Sequence, residues 1–254
     1  MSRRSLWLGV LLILTTSASA QTEISDQLKA GDEALTRFDL DVALAAYRNA
    51  HQLVPDNYEA TWKLARAFAD KATLSNDRVE QKTLCIEAES LARDAVRLNP
   101  SDAKGHTFLA IAVGKLALYE GGKRKVELSK EVKTEAETAL KLDQGEDLAH
   151  HVLGVWNREM VELNWMLRKF AELLYGKFPS ASLDESVSHL RRAAELAPSA
   201  VAHHVELGLT LIDAQKCPEG QRELANALTM PKTWVTDDYY RDLAKRNHRR
   251  CAGT

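Results

Sequence analysis

Apolar and polar positions along this chain recur with the period of amphipathic helices, and strand-like alternation is absent throughout. The helical stretches come in pairs, and the second member of each pair ends in the same way. Ala46 to Pro55 (Ala-Tyr-Arg-Asn-Ala-His-Gln-Leu-Val-Pro) matches Leu91 to Pro100 (Leu-Ala-Arg-Asp-Ala-Val-Arg-Leu-Asn-Pro) and Leu190 to Pro198 (Leu-Arg-Arg-Ala-Ala-Glu-Leu-Ala-Pro). A fourth copy, Ala136 to Gln144, keeps the pattern but replaces the proline. A fifth, Leu224 to Pro231, is one residue short. A helix pair that cannot bury its own apolar face must stack on a neighbour, so five such pairs predict a solenoid.

Alignment on the prolines exposes the whole unit. Gly31, Ala43, Tyr47, Ala50 and Pro55 fall at the spacing of the tetratricopeptide repeat. That unit has a small residue midway along helix A, alanines along helix B and proline as terminator. Small residues let antiparallel helices approach closely, and proline lacks the N–H that a further turn needs. Later copies place Leu64-Ala65, Leu109-Ala110, Leu153-Gly154 and Leu207-Gly208 at the same point of helix A. The predicted fold is all-α: a tetratricopeptide-like right-handed α-solenoid of five helix pairs with a C-terminal capping helix. Its repeats span 24–57, 58–102, 103–146, 147–200 and 201–234, and the cap spans 237–250. In the cap, Tyr240, Leu243 and Ala244 share one face, with Asp238, Arg241, Lys245 and Arg249 largely away from it.

Three units carry extra residues between helix A and helix B, at 70–84, 119–131 and 160–184. In the last, Val161, Leu163, Met166, Phe170, Leu173 and Leu174 recur at helical spacing around Trp165. This spacing predicts that helix A of the fourth repeat runs on for about three more turns. After Pro179, the cap-like Ser182-Leu-Asp-Glu185 starts the next helix. The aromatic run has two readings, packing for an over-long helix or one wall of an apolar pocket.

Leu118-Tyr-Glu-Gly-Gly-Lys-Arg-Lys-Val-Glu-Leu-Ser-Lys130, with Leu153-Gly154-Val-Trp156, Glu162-Leu163-Asn-Trp165 and Gly176-Lys-Phe178-Pro179-Ser-Ala181, resembles the regulator of microtubule dynamics family. The resemblance extends over roughly 26–213. It implies a tetratricopeptide-like solenoid domain. In one animal member, a tether at mitochondrial contact sites, that domain binds and moves phospholipids. Lipid or peptide binding is therefore what the resemblance implies. The chain departs from the family at its N-terminus, where a cleavable signal stands in place of a membrane anchor, and a microtubule function is not carried over.

Arg3 and Arg4, the apolar run Leu6 to Leu14 and the small residues Ala18-Ser19-Ala20 have the form of a signal peptide, residues 1–20. The expectation is export, to a bacterial periplasm. The alternative is an N-terminal membrane anchor, for which the apolar run is short against the ~20 residues of a spanning helix. Without the two signal arginines, 32 basic residues face 36 acidic ones, a balance that predicts no nucleic-acid partner. Of the three cysteines, Cys85 lies in an apolar helical stretch, whereas Cys217 and Cys251 are placed to emerge at one end of the stack. They form the disulfide candidate, provided their Cα atoms come within about 7 Å.

Catalytic signatures such as H-E-x-x-H, G-x-S-x-G, a Walker loop or C-x-x-C do not occur, so no enzyme activity, cofactor or metal is expected. His106, His150 and His204 recur at one point of helix A and could stack along the solenoid, but adjacent helices lie ~8–10 Å apart, too far for most zinc pairs. The concave face is the stronger candidate. Transferred by repeat register, its helix A positions are Trp62, Arg66, Thr107, Ile111, Lys115, His151, Val155, Arg158 and Leu209. Cations there suit a carboxylate or phosphate, and the apolar members suit a side chain or tail. Two functions follow. The first is a non-catalytic exported scaffold holding a peptide or protein partner in the groove. The second is phospholipid or acyl-chain binding and transfer through an apolar channel lined by the extended fourth repeat.

Overall fold

In a computed structural model the described residues are 5–163, 169, 172, 180–248 and 250, with backbone alone for 5–20. They form eleven helices and no strand. Helix α1 is Ser5–Thr36 and α2 Leu40–Leu53; α3 is Tyr58–Leu74 and α4 Arg78–Leu98. Then come α5 Ala103–Ala117, α6 Gly122–Leu142, α7 Asp147–Glu162 and α8 Leu183–Leu196. Last are α9 Val201–Asp213, α10 Cys217–Thr229 and α11 Asp237–Asn247. Odd and even helices pack as antiparallel pairs, each pair leans on the next, and the A helices α3, α5, α7 and α9 touch in series. Helix α11 packs on α9 and α10, where the first helix of a sixth repeat would lie.

Local chemistry sets the ends. Asp39, Asn57, Asp77, Asp102 and Ser182 each accept a backbone N–H two or three residues on, satisfying donors that a helix start leaves unpaired. At the other end Val54, Asn99 and Ala197 leave the helical region immediately before Pro55, Pro100 and Pro198. The tightest A–B turns, in the first and last repeats, carry Phe38 and Gln215 at φ 61°. Between paired helices the fit is close. A Cβ on Gly31 would stand 2.3 Å from the Tyr47 ring, one on Gly154 2.4 Å from Leu190, and one on Gly208 2.8 Å from Leu224. Opposite them, Ala43, Ala50, Ala88, Ala92, Ala95, Ala136, Ala139, Ala193 and Ala227 are fully buried along the B helices.

Several sequence expectations change here. Extra residues of the second and third repeats lengthen helix B: α4 and α6 have 21 residues each, against 14 in α2. Helix α7 does not run on. It ends at Glu162 because Leu163 adopts φ −55°, ψ 130°, and Trp165, Met166, Phe170, Leu173, Leu174 and Pro179 lie outside the described residues. Cys217, read from the sequence as the end of the last helix A, instead starts α10, since the Gln215 turn follows Asp213 and Pro218 seeds the new helix. Helix α11 stops at Asn247, three residues before the expected end of the cap. Arg241 does not face solvent. Its guanidinium donates to the Met230 carbonyl at 2.8 Å.

The recurrent histidines do not stack along the solenoid. Nε2–H of His106 and of His204 donates to the carbonyl of Pro100 or Pro198, six residues back, at 3.1 Å in each case. Their Nδ1 atoms face Glu135 and Glu223 on the paired B helices at 2.6 and 2.8 Å. His150 holds the same position and meets His189 at 3.0 Å. Each is therefore tied to its own helix B.

Candidate functional site

The inner face of the stack is not an open groove. Residues 230–236, between α10 and α11, cross from the last repeat to the first two. Val235 is 4% exposed and joins a core cluster that includes Leu35, Leu40, Tyr47, Leu64 and Phe68. Trp234 lies against α3, where its indole Nε1–H donates to Asp70 Oδ2 at 3.0 Å. The Arg66 guanidinium sits 3.6 Å from the centroid of the same indole. This strap is held in shape by Asp237, 2% exposed, whose Oδ2 accepts the N–H groups of Thr233 at 2.7 Å and Trp234 at 2.8 Å.

Beside the strap a cavity of about 340 Å³ remains. Its walls come from α1 (Asp32, Leu35), α2 (Tyr47), α3 (Trp62, Lys63, Arg66, Asp70) and the strap (Thr233, Trp234). Trp62 stacks in parallel on Phe108, with centroids 5.4 Å apart. Lys63 binds Asp32 at 2.6 Å and Glu59 at 2.7 Å, and Tyr47 donates its hydroxyl to Asp32 at 2.7 Å. Aromatic rings with ordered charges around a concave space suit a ligand that is apolar in body and polar at one point.

Deeper in the molecule the charges face one another. Burial pushes the Asp70 carboxyl up, against the pull of Arg66 and Lys115. Burial lowers the Lys115 ammonium while Asp70 favours its charged form, and its Nζ donates to Thr73 Oγ1 at 2.5 Å. Burial works against the Arg158 charge too, but Glu206, at 2.6 Å, holds the guanidinium above its ordinary range. His151 Nδ1 faces His203 Nδ1 at 2.9 Å, and His203 Nε2–H donates to Asp147 at 2.8 Å. Burial, then His203 and Arg158, hold the His151 imidazole well below its ordinary range, so it is neutral. On α11, burial and the nearby Glu206 carboxylate raise the Tyr240 hydroxyl.

The nine register-derived positions thus divide. Trp62 and Arg66 share the cavity wall, and Lys115 reaches the same Asp70 from α5. Ile111 is half-buried between the first two core clusters, and Val155 packs by α8 and α9 against Val187, Leu190, Leu207 and Leu211. His151 is committed to His203. Thr107 is fully buried, Arg158 is 8% exposed in its pairing with Glu206, and Leu209 belongs to the core that α11 covers. These last three are not available as ligand contacts: Thr107 is enclosed, Glu206 holds Arg158, and the core completed by α11 covers Leu209. Missed by register were Asp32, Tyr47, Lys63, Asp70 and Trp234. Asp70 carried a usable signal, four residues after Arg66 on one helical face. Trp234 carried none beyond being aromatic in a connection.

Cys217 is disulfide-bonded and Cys85 is a free buried thiol. Cys251, the expected partner of Cys217, lies outside the described residues. Among the described residues no group of three or more histidine, cysteine, aspartate or glutamate side chains is placed to hold a metal ion. No helix among them is long and apolar enough to cross a membrane.

In fold the chain is similar to a thermophilic tetratricopeptide-repeat protein of Thermus thermophilus. The TM-score is 0.64 at 16% identity, over 88% of this chain and 99% of that one. In sequence it is similar to regulator of microtubule dynamics protein 3 of Xenopus laevis, 30% identical over 68% of this chain and 37% of that protein. Human regulator of microtubule dynamics protein 1 is 31% identical over 54% of this chain and 44% of its own length. The chain thus spans less than half the length of either relative. The family model of regulator of microtubule dynamics protein 1-3 matches residues 22–248, and the chain belongs to that family.

Proposed function

We propose that this chain is a non-catalytic binding scaffold that holds a peptide segment of a protein partner at the mouth of its inner face. The observation that carries the reading is the cavity framed by Tyr47, Trp62, Lys63, Arg66, Asp70 and Trp234. At about 340 Å³ it is large enough for one or two side chains. Its rings and fixed charges suit recognition. The tetratricopeptide-like architecture is in keeping with this, since solenoids present extended inner surfaces to partners. Export with removal of residues 1–20 belongs to the same proposal. The bonded Cys217 supports an oxidising compartment.

The test is affinity capture with purified full-length chain, wild type against Trp62→Ala with Lys63→Glu, alongside native mass spectrometry. Capture that the double variant loses supports the scaffold reading. Capture unchanged by it removes the cavity from the function. A co-purifying phospholipid in the native spectrum favours acyl-chain carriage instead. N-terminal sequencing of the exported protein should begin at Gln21.

A further inference from the structure

The strap is chemically unlike an ordinary connection. Seven residues, 230–236, bring an indole to a cation and a carboxylate on α3, at a separation of 164 positions from Trp234 to Asp70. Each contact is of a type used in recognition. The ring lies against Arg66, its one N–H meets Asp70, and the next residue, Val235, enters an apolar slot. Yet the fit is incomplete. Thr233 is exposed, Trp234 is only half-buried, and the 340 Å³ cavity continues past the indole toward Trp62 and Tyr47. This space is open to solvent and walled by rings and fixed charges, so it has room for a ligand that extends past the indole.

The strap is also held in shape by its own end of the chain, and Thr233 Oγ1 donates to the Ser199 carbonyl at 3.1 Å. Asp237 pins its backbone from the start of α11, and Arg241 closes it onto the Met230 carbonyl. Among the described residues, its ties to the first two repeats are the indole N–H to Asp70, the same indole against Arg66, Lys232 over the Phe38 ring at 5.0 Å, and the packing of Val235. Breaking these opens the cavity and uncovers the apolar slot that Val235 fills among α1, α2 and α3.

We propose that residues 230–236 are an internal ligand of this cavity, and that the scaffold's partner is a peptide carrying tryptophan followed by an aliphatic residue. Such a peptide replaces Trp234 and Val235 on Arg66, Asp70 and the apolar slot formed with α1, α2 and α3, and extends into the space beside Trp62. The inference rests on the scaffold reading and adds the partner's chemistry and a built-in competitor. The strap scales the apparent affinity down to the fraction of molecules in which it is unseated.

The probe is a labelled synthetic peptide of residues 230–236 (Met-Pro-Lys-Thr-Trp-Val-Thr) titrated by fluorescence anisotropy. With full-length chain bearing Trp234→Ser and Val235→Ser, binding should be about tenfold or more tighter than with wild type. Asp70→Asn in that released chain should weaken it about tenfold, and the peptide with alanine for tryptophan should not bind. Equal affinity for wild type and released chain, or binding that ignores the peptide's tryptophan, overturns the proposal. Should the released variant fold poorly, wild type gives an independent reading. Saturating peptide should shift the Trp234 indole N–H resonance away from its Asp70-bonded position, and an unmoved resonance under millimolar peptide overturns the proposal equally. The two readings fail separately. Partner capture that depends on Trp62 while the peptide is ignored sinks only the tryptophan inference. Peptide binding with no captured partner sinks only the scaffold.

Discussion

His151 and His204, on α7 and α9, are driven in opposite directions by their surroundings. His151 is enclosed by His203, Arg158 and Lys115, with Asp147 the anion that opposes them, and burial holds it neutral. His150 and His189 are lowered too, by burial and, for His189, by its partner imidazole. His204 is raised by its bond to Glu223. The signs follow from linkage. A histidine with a depressed folded pKa leaves the unfolded chain binding the proton first, so its stabilisation is complete above ~6.5 and erodes as pH falls below that. For His204 the order reverses: its contribution is complete below ~6.5 and is lost as pH rises through its raised value. The melting temperature should therefore drop less between pH 7 and pH 5 in His151→Gln than in wild type, and more in His204→Gln. Using the difference between curves isolates these rings from Asp70 and Glu146, whose carboxyls burial raises and which, like His204 and unlike His151, add stability as pH falls. Parallel wild-type and His151→Gln curves would contradict the neutral buried ring.

Helices were legible in the sequence because their determinants are local. Caps such as Asp39 and Asn57, terminators such as Pro55 and Pro100, and alanines at fixed spacing each act within a few residues of where they are written. Inserted residues were harder. Nothing in 119–131 by itself says whether an extra stretch lengthens helix B or forms a loop, and α6 resolves it by starting at Gly122 with φ 51°. Among elements, α10 and α11 are the pair most in need of a tie, since they stand at the end of the stack. Cys217, at the first position of α10, is disulfide-bonded, and the pairing expected from the sequence would supply one. With Cys251, its expected partner, the closed span is 35 residues, for which loop entropy gives about 3–4 kcal/mol. Cys217→Ser should lower the melting temperature under oxidising conditions and match wild type in reductant. A gap that persists in reductant would assign the loss to packing at the α10 start instead.

At the scale of the whole molecule, the candidate site escaped repeat register because its defining contact is not periodic. Trp62 and Arg66, which register offered, line the cavity, yet register carries no information about a connection that returns across 164 positions to Asp70. The same contact changes what kind of object this solenoid is. In an open stack each repeat feels only its neighbours, so damage after α10 stays near α9 and α11. Here Val235 shares one apolar cluster with α1, α2 and α3, which makes the first repeats lean on the last. Val235→Ala removes two buried methyl groups, a change that costs on the order of 1–2 kcal/mol in a core that relaxes only partly. The consequence should appear far from the substitution. Amide hydrogen exchange in Val235→Ala should speed up along α1 to α3 while α7 and α8, which lie outside the strap's core cluster, keep wild-type protection. Loss of protection confined to α9, α10 and α11 would show that the ends are independent and that the strap merely rests on the groove.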